Sequence, residues 1–294
     1  MTGPMTGIQR WASGNALWLT LSAALILVLI TLLAGAAGWH SSAVGAALMA
    51  TLFTTLATGS GALPALFLRR ISDHTQNSLL GFGAGVMLAA SFVSLIAPAL
   101  EAGAAQTGSM TGGILIVAAG LALGTLFLFA IGRLLLHGQH HDSQPSLPGL
   151  SGAWLFVLAI TLHNLPEGLA VGVAQGDGTA GANALTAGIA LQNMPEGLVI
   201  AIALRTIGLS PARAFCIALL TGMVEPLGGF LGASLISMMR DLLPWALAFA
   251  AGGMLFVISH EIIPEMHRGN NRHIATASII AGFLLMILSD QLLA

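Results

Sequence analysis

The chain has 294 residues, 56% of them hydrophobic and 7% charged, with a mean hydropathy of +0.91, whereas soluble domains carry about 25% charged residues. This excess of apolar side chains excludes disorder, and a formal net charge of −2 with nine Arg and no Lys leaves no basic stripe for nucleic acid. The single cysteine, Cys216, cannot form a disulfide within one chain, so any metal chemistry falls to His, carboxylate, amide or Met.

A bilayer core of about 30 Å needs about 20 apolar residues per crossing helix. Apolar runs of that length predict nine spans, at 15–38, 42–68, 76–100, 110–136, 151–174, 183–207, 210–238, 242–267 and 272–293. The first follows Arg10 and ends near Ala34, Gly35 and Ala36, as a cleaved signal peptide does. Its apolar core, Leu17 to Leu33, exceeds the usual stretch of about 7–15 residues, so a retained helix is expected. Positive charge near span ends stays on the cytoplasmic side. With the N-terminus inside, Arg10, Arg69, Arg70, Arg133, Arg205, Arg213, Arg268 and Arg272 are cytoplasmic and only Arg240 is outside. The outer connections then carry His40, Glu101, Asp177 and Asp241, and the chain ends outside after Asp290. A multi-pass protein of the cell (cytoplasmic or inner) membrane is expected.

Between the fourth and fifth spans lies a polar, Pro-bearing cytoplasmic linker with His137, His140 and His141. It reads either as a weak metal-collecting loop or as a solvated connector.

Ionisable residues inside spans cost about 2.5–3.5 kcal/mol each and mark functional sites by default. Here they cluster. The fifth span contains His163-Asn164-Leu165-Pro166-Glu167-Gly168, and the sixth repeats the pattern 29 residues later as Gln192-Asn193-Met194-Pro195-Glu196-Gly197. The seventh holds Glu225-Pro226, and the eighth ends in His260-Glu261-Ile262-Ile263-Pro264-Glu265. Residues four apart share a helix face, so His163 with Glu167 and Gln192 with Glu196 present imidazole, amide and carboxylate to a common point. Pro166 and Pro195 each disrupt a backbone bond, freeing the carbonyls of Leu162 and Leu191. Burying Glu167, Glu196 and Glu225 together costs about 9 kcal/mol on the same scale and calls for a divalent ion or protons as counter-charge. Mixed nitrogen and oxygen donors favour a divalent transition metal, zinc first, and the lack of Cys ligands argues against copper(I). Gly168 with Gly172, and Gly228 with Gly232, read as close helix packing. His260-Glu261-x-x-Pro264 lacks the second His of a zinc-protease helix, so an enzyme is not expected.

HNLPEG, QNMPEG and the downstream EPLGG resemble the signature of the ZIP family of zinc and iron permeases, in its prokaryotic GufA-like branch, over essentially the whole chain from residue 42. The resemblance implies an all-α membrane fold with an eight-helix core and an inverted repeat at 42–294, which includes the His-rich loop at 137–150. Residues 1–41 then form a tail and one extra N-terminal helix. It implies a primary metal site of His163, Glu167, Gln192 and Glu196 approached by Met87. A second site of Asn164, Glu167, Asn193, Glu196 and Glu225 would adjoin it. His260 and Glu261 resemble exit-path residues, and Asp290 a residue near the entrance. Many members carry His at the position of Gln192, and binuclear members carry Asp at that of Asn193. The implied activity is metal uptake by an elevator movement, in which helices at 42–68, 151–174, 183–207 and 210–238 slide against the others. Zinc is the expected cargo, with cadmium, iron(II) and manganese as further candidates. No organic cofactor is expected, and the partners would be the lipid bilayer and a second copy in a homodimer. A membrane zinc metalloenzyme and a non-transporting metal sensor are the alternatives.

Overall fold

The computed structural model describes residues 42–136, 152–266 and 272–293. The first predicted span, at 15–38, and the linker histidines His137, His140 and His141 lie outside the described residues. Among the described residues the chain is all-α, and eight helical stretches are long and apolar enough to cross a membrane.

The first of these is α1, Ala43–Ala62, started by Ser42, whose hydroxyl accepts from the Gly45 N–H at 3.1 Å. That bond satisfies one of the donors every helix start leaves unpaired. Next comes α2, Asp73–Ala90, which passes through a π-helical turn at Ser91–Ile96 into α3, Ala97–Thr107. Gly108, at φ 68°, supplies the left-handed residue that turns the chain straight back into α4, Met110–Leu136. The two motif helices are α5, Gly152–Asp177, and α6, Ala182–Thr206, each continuous through its internal proline.

The stretch expected as one span at 210–238 is broken at membrane depth. It consists of α7, Pro211–Gly222, and α8, Glu225–Met238, with Pro226 in the first turn of the second piece. Proline fits there because the first N–H groups of a helix have no partner inside it. A second π turn, Ile258–Ile262, links α9, Leu243–Val257, to the short α10, Ile263–Met266. The chain closes with α11, Arg272–Leu293.

The helices sort into two packed sets. In one, α1 lies along α6 and α5 along α8, with α7 beside α1 and α6; in the other, α2 lies along α11 and α4 along both α9 and α3. The α1–α6 and α5–α8 pairings mirror one another, as do α2–α11 and α4–α9, in the manner of an inverted repeat. The sets meet where α2 crosses α6 and where α9 crosses α5. Small residues allow the closest approaches, since without a hydrophobic drive between helices in lipid the backbones must touch. A methyl group at Gly168 or Gly172 would run into the backbone of Glu225 or Gly229, and one at Gly228 into that of Leu165. These contacts hold the motif of α5 against the break that opens α8.

Candidate metal centre

Both proline motifs fall midway along their helices, and their polar side chains turn inward. His163, Asn164, Glu167, Gln192, Asn193, Glu196 and Glu225 are all buried, with Glu167, Gln192 and Glu225 at 0% exposure. His163, Glu167 and Glu196 each offer a ligand atom within 4.8 Å of the others. A small side-chain rotation brings such atoms inside twice a zinc–ligand bond of about 2.0–2.2 Å.

The internal contacts cross helices. His163 Nε2 lies 3.3 Å from Glu196 Oε2, and the Gln192 amide donates to Glu167 Oε1. The α2 backbone closes one side at Gly83, where a methyl group would stand 3.8 Å from Gln192 Cβ and 3.9 Å from Glu196 Oε1. Met87 is fully buried one turn further along that face of α2. From the other set, Glu261 approaches His163 Nδ1 to 3.7 Å.

The donor set is unbalanced. Glu167 Oε2, Gln192 Oε1, Asn193 Oδ1 and Glu196 Oε1 are buried without a hydrogen-bond partner, and each such atom costs about 1–3 kcal/mol. Four oxygen acceptors with no donor, beside an imidazole, have the chemistry to accept a cation. A neutral ligand would need N–H or O–H partners here.

Glu225 is held differently. Its Oε1 accepts from Asn193 Nδ2 at 2.9 Å and its Oε2 from the Thr54 hydroxyl. Asn193 Nδ2 also donates to the Thr54 carbonyl at 3.2 Å, while Asn164 Nδ2 donates to the Thr221 carbonyl at 2.8 Å. Both carboxylate oxygens of Glu225 are therefore occupied by hydrogen bonds, and the two asparagines spend their N–H groups tying helices together.

Of the remaining sequence-predicted residues, His260 and Asp290 lie apart from this cluster. His260 is exposed and stacks on Phe256 with ring centroids 4.8 Å apart. Only Glu261 of that pair faces the centre. Asp290 is buried and accepts from the Ser94 hydroxyl at 3.1 Å, joining α11 to the π turn after α2. Thr54 and Gly83 escaped the sequence reading. The stripe Thr51, Thr54, Thr55 and Thr58, all buried on one face of α1, was a legible signal for the first. Gly83 carried none, because its role is to be small.

The family profile described as ZIP Zinc transporter matches residues 136–290. Zinc transporter GufA of Myxococcus xanthus is 45% identical over 251 residues, covering 84% of this chain and 98% of that protein. Zinc transporter ZIPB of Bordetella bronchiseptica is 42% identical over 277 residues, covering 92% and 89%. Zinc transporter ZIP11 of Homo sapiens is 34% identical over 336 residues, covering 85% and 98%.

Proposed function

Because the chain belongs to the ZIP family of metal transporters, and is a carrier rather than an enzyme, we propose that it takes up a divalent transition metal, zinc first, into the cytoplasm. The ion is carried among His163, Glu167, Gln192 and Glu196. The observation that supports this most is the set of buried, partnerless oxygens beside an imidazole, midway along two helices long enough to span a membrane. Intramembrane ionisable residues mark ion pathways, and the names of the relatives point to zinc. Cadmium, iron(II) and manganese suit the same nitrogen and oxygen donors. Competition by each ion against zinc uptake into vesicles holding the purified protein tests the choice. Absence of protein-dependent zinc uptake would end the proposal.

Residues 42–294 are the transport core in this account, and 1–41 add a tail and one helix. The two helix sets supply the parts of an elevator: α1 and α5 to α8 carry the ion, while α2 to α4 and α9 to α11 stay fixed. A sliding movement of one set past the other, around a site near the midplane, gives alternating access. Asp290 stands on the entry side and Glu261 on the exit side. A homodimer would form through the fixed set.

The arginine distribution supports an orientation in the cell membrane with the N-terminus on the cytoplasmic side and the C-terminus outside. A cysteine at Ser143 should react with an impermeant reagent only from the cytoplasm, and one at Gly178 only from outside. The reverse pattern would invert the direction of transport.

The hydrogen bonds on Glu225 argue for one carried ion rather than two. Asn193 gives an N–H donor where a second ligand charge would be needed. Glu225→Ala should therefore slow uptake by only about tenfold, the lower end of the 10–100-fold loss that removing a supporting partner brings. Asn193→Asp should raise the bound metal towards two per chain, because an added carboxylate favours a second dication at low dielectric. Elemental analysis beside uptake rates checks both; two ions already bound to the unmodified chain would contradict the one-ion reading.

A further inference from the structure

The two ring nitrogens of His163 have different surroundings. Nε2 turns toward the carboxylates, 3.3 Å from Glu196 Oε2, while Nδ1 is buried with no hydrogen-bond partner. Facing Nδ1 is Glu261 Oε2, 3.7 Å away and itself buried without a partner. A neutral imidazole has one N–H and one lone pair. An ion held beside Glu167 and Glu196 takes the lone pair at Nε2, so the proton must sit on Nδ1, where a buried donor without an acceptor is costly. Glu261 Oε2 is the acceptor at hand, and a closure of about 0.8 Å reaches the usual N–H···O distance of about 2.9 Å. Glu261 stands on the Nδ1 side of the ring, outside the group of His163, Glu167 and Glu196 whose ligand atoms lie within 4.8 Å of one another.

Local structure brings Glu261 to that ring. α9 comes close to α5 at Gly253, where a methyl group would stand 3.1 Å from two ring carbons of Pro166, one turn after His163. Further along, the chain passes through the π turn Ile258–Ile262, whose extra residue shifts the helix face. Glu261 is thereby turned toward His163, and His260 is left stacked on Phe256. π turns inside α-helices are frequent at functional sites.

We propose that Glu261 is a positioning residue for His163: its carboxylate accepts the Nδ1 proton, fixes the ring and its tautomer, and strengthens Nε2 as a nitrogen donor to the ion. A carboxylate behind a metal-binding imidazole acts in this way generally. The inference rests on the reading of His163 as an ion ligand. The support comes from the helix set that does not carry the site, so a sliding movement as proposed above makes the contact in one position and breaks it in the other.

The test measures zinc and manganese binding to the purified full-length protein by titration calorimetry. Glu261→Leu should weaken zinc binding about 10–100-fold, the loss that removing such a partner brings. Manganese binding should weaken less, because manganese suits oxygen donors. Glu261→Gln keeps an acceptor oxygen and should retain most of the zinc affinity. Nitrogen-15 spectra of the zinc-loaded, histidine-labelled protein should show His163 metallated at Nε2 with its proton on Nδ1, the signal being assigned by its absence from His163→Ala. Unchanged zinc affinity in Glu261→Leu, while His163→Ala loses zinc, would overturn this inference alone; undiminished zinc binding by His163→Ala would instead remove His163 from the site and the inference with it. Equal losses for zinc and manganese would show a general structural role and overturn the proposal, as would metallation at Nδ1. A loss in Glu261→Gln as large as in Glu261→Leu would assign the residue to the charge balance of the site and also overturn it.

Discussion

Glu196→Ala should lower zinc uptake by about 100-fold or more at equal membrane abundance, since even residues that only support a ligand cost 10–100-fold when removed. Glu196 joins the two motif helices: one carboxylate oxygen lies 3.3 Å from His163 Nε2, and the other is buried without a partner. Alanine there leaves the imidazole without its counter-group and removes a negative charge from a site that must hold a dication. Glu196→Gln keeps the shape but not the charge, so its uptake should lie between alanine and the unmodified protein. Uptake is read with a zinc-sensitive dye inside vesicles, and the variant's size-exclusion profile shows that it still folds. Normal uptake by Glu196→Ala would remove this residue from the ion's path.

Gly197→Val carries the second large effect, and it acts through packing. Any Cβ at Gly197 collides with the Thr58 carbonyl, just as one at Gly61 collides with the Met194 carbonyl. These are backbone atoms on both sides of the α1–α6 contact, and neither can rotate away. Overpacking of this kind costs about 3 kcal/mol. At about 2–4 °C per kcal/mol for a chain of this size, the midpoint should fall by roughly 6–12 °C. Separating α1 from α6 also pulls Thr54 from Glu225 and Asn193, so uptake should fall with stability. Gly132→Ala is the control, since nothing lies within 4 Å of the methyl it adds. A thermal melt of detergent-solubilised protein decides between them. Equal midpoints for Gly197→Val and the unmodified protein would mean that the α1–α6 contact is looser than its geometry.

The sequence made the spans legible because apolar length is set by bilayer thickness. The run expected at 110–136 and the helix Met110–Leu136 coincide, and eight predicted spans have helical counterparts. The break before Glu225 was harder to read. Glu225-Pro226 stood out as polarity within a span, whereas its structural meaning is a new helix start. The π turns at Ser91–Ile96 and Ile258–Ile262 left no trace in composition, because composition does not report the one extra residue that shifts the helix face after them. Their effect is visible at Glu261, which faces His163, while its neighbour His260 points away. Adjacent helical residues do not share a face, so the two side chains point apart. The proline motifs were legible because i, i+4 spacing and burial together dictate a shared point. Which amide nitrogens are already committed, as at Asn193 and Asn164, depends on carbonyls from other helices. No local pattern encodes that.

The most direct test of the central claim is anomalous diffraction at the zinc edge from crystals of the protein grown with zinc. One peak is predicted at mid-membrane, about 2.0–2.2 Å from donor atoms of His163, Glu167, Gln192 and Glu196, with none between Asn193 and Glu225. Zinc located away from all four of these side chains would contradict the account.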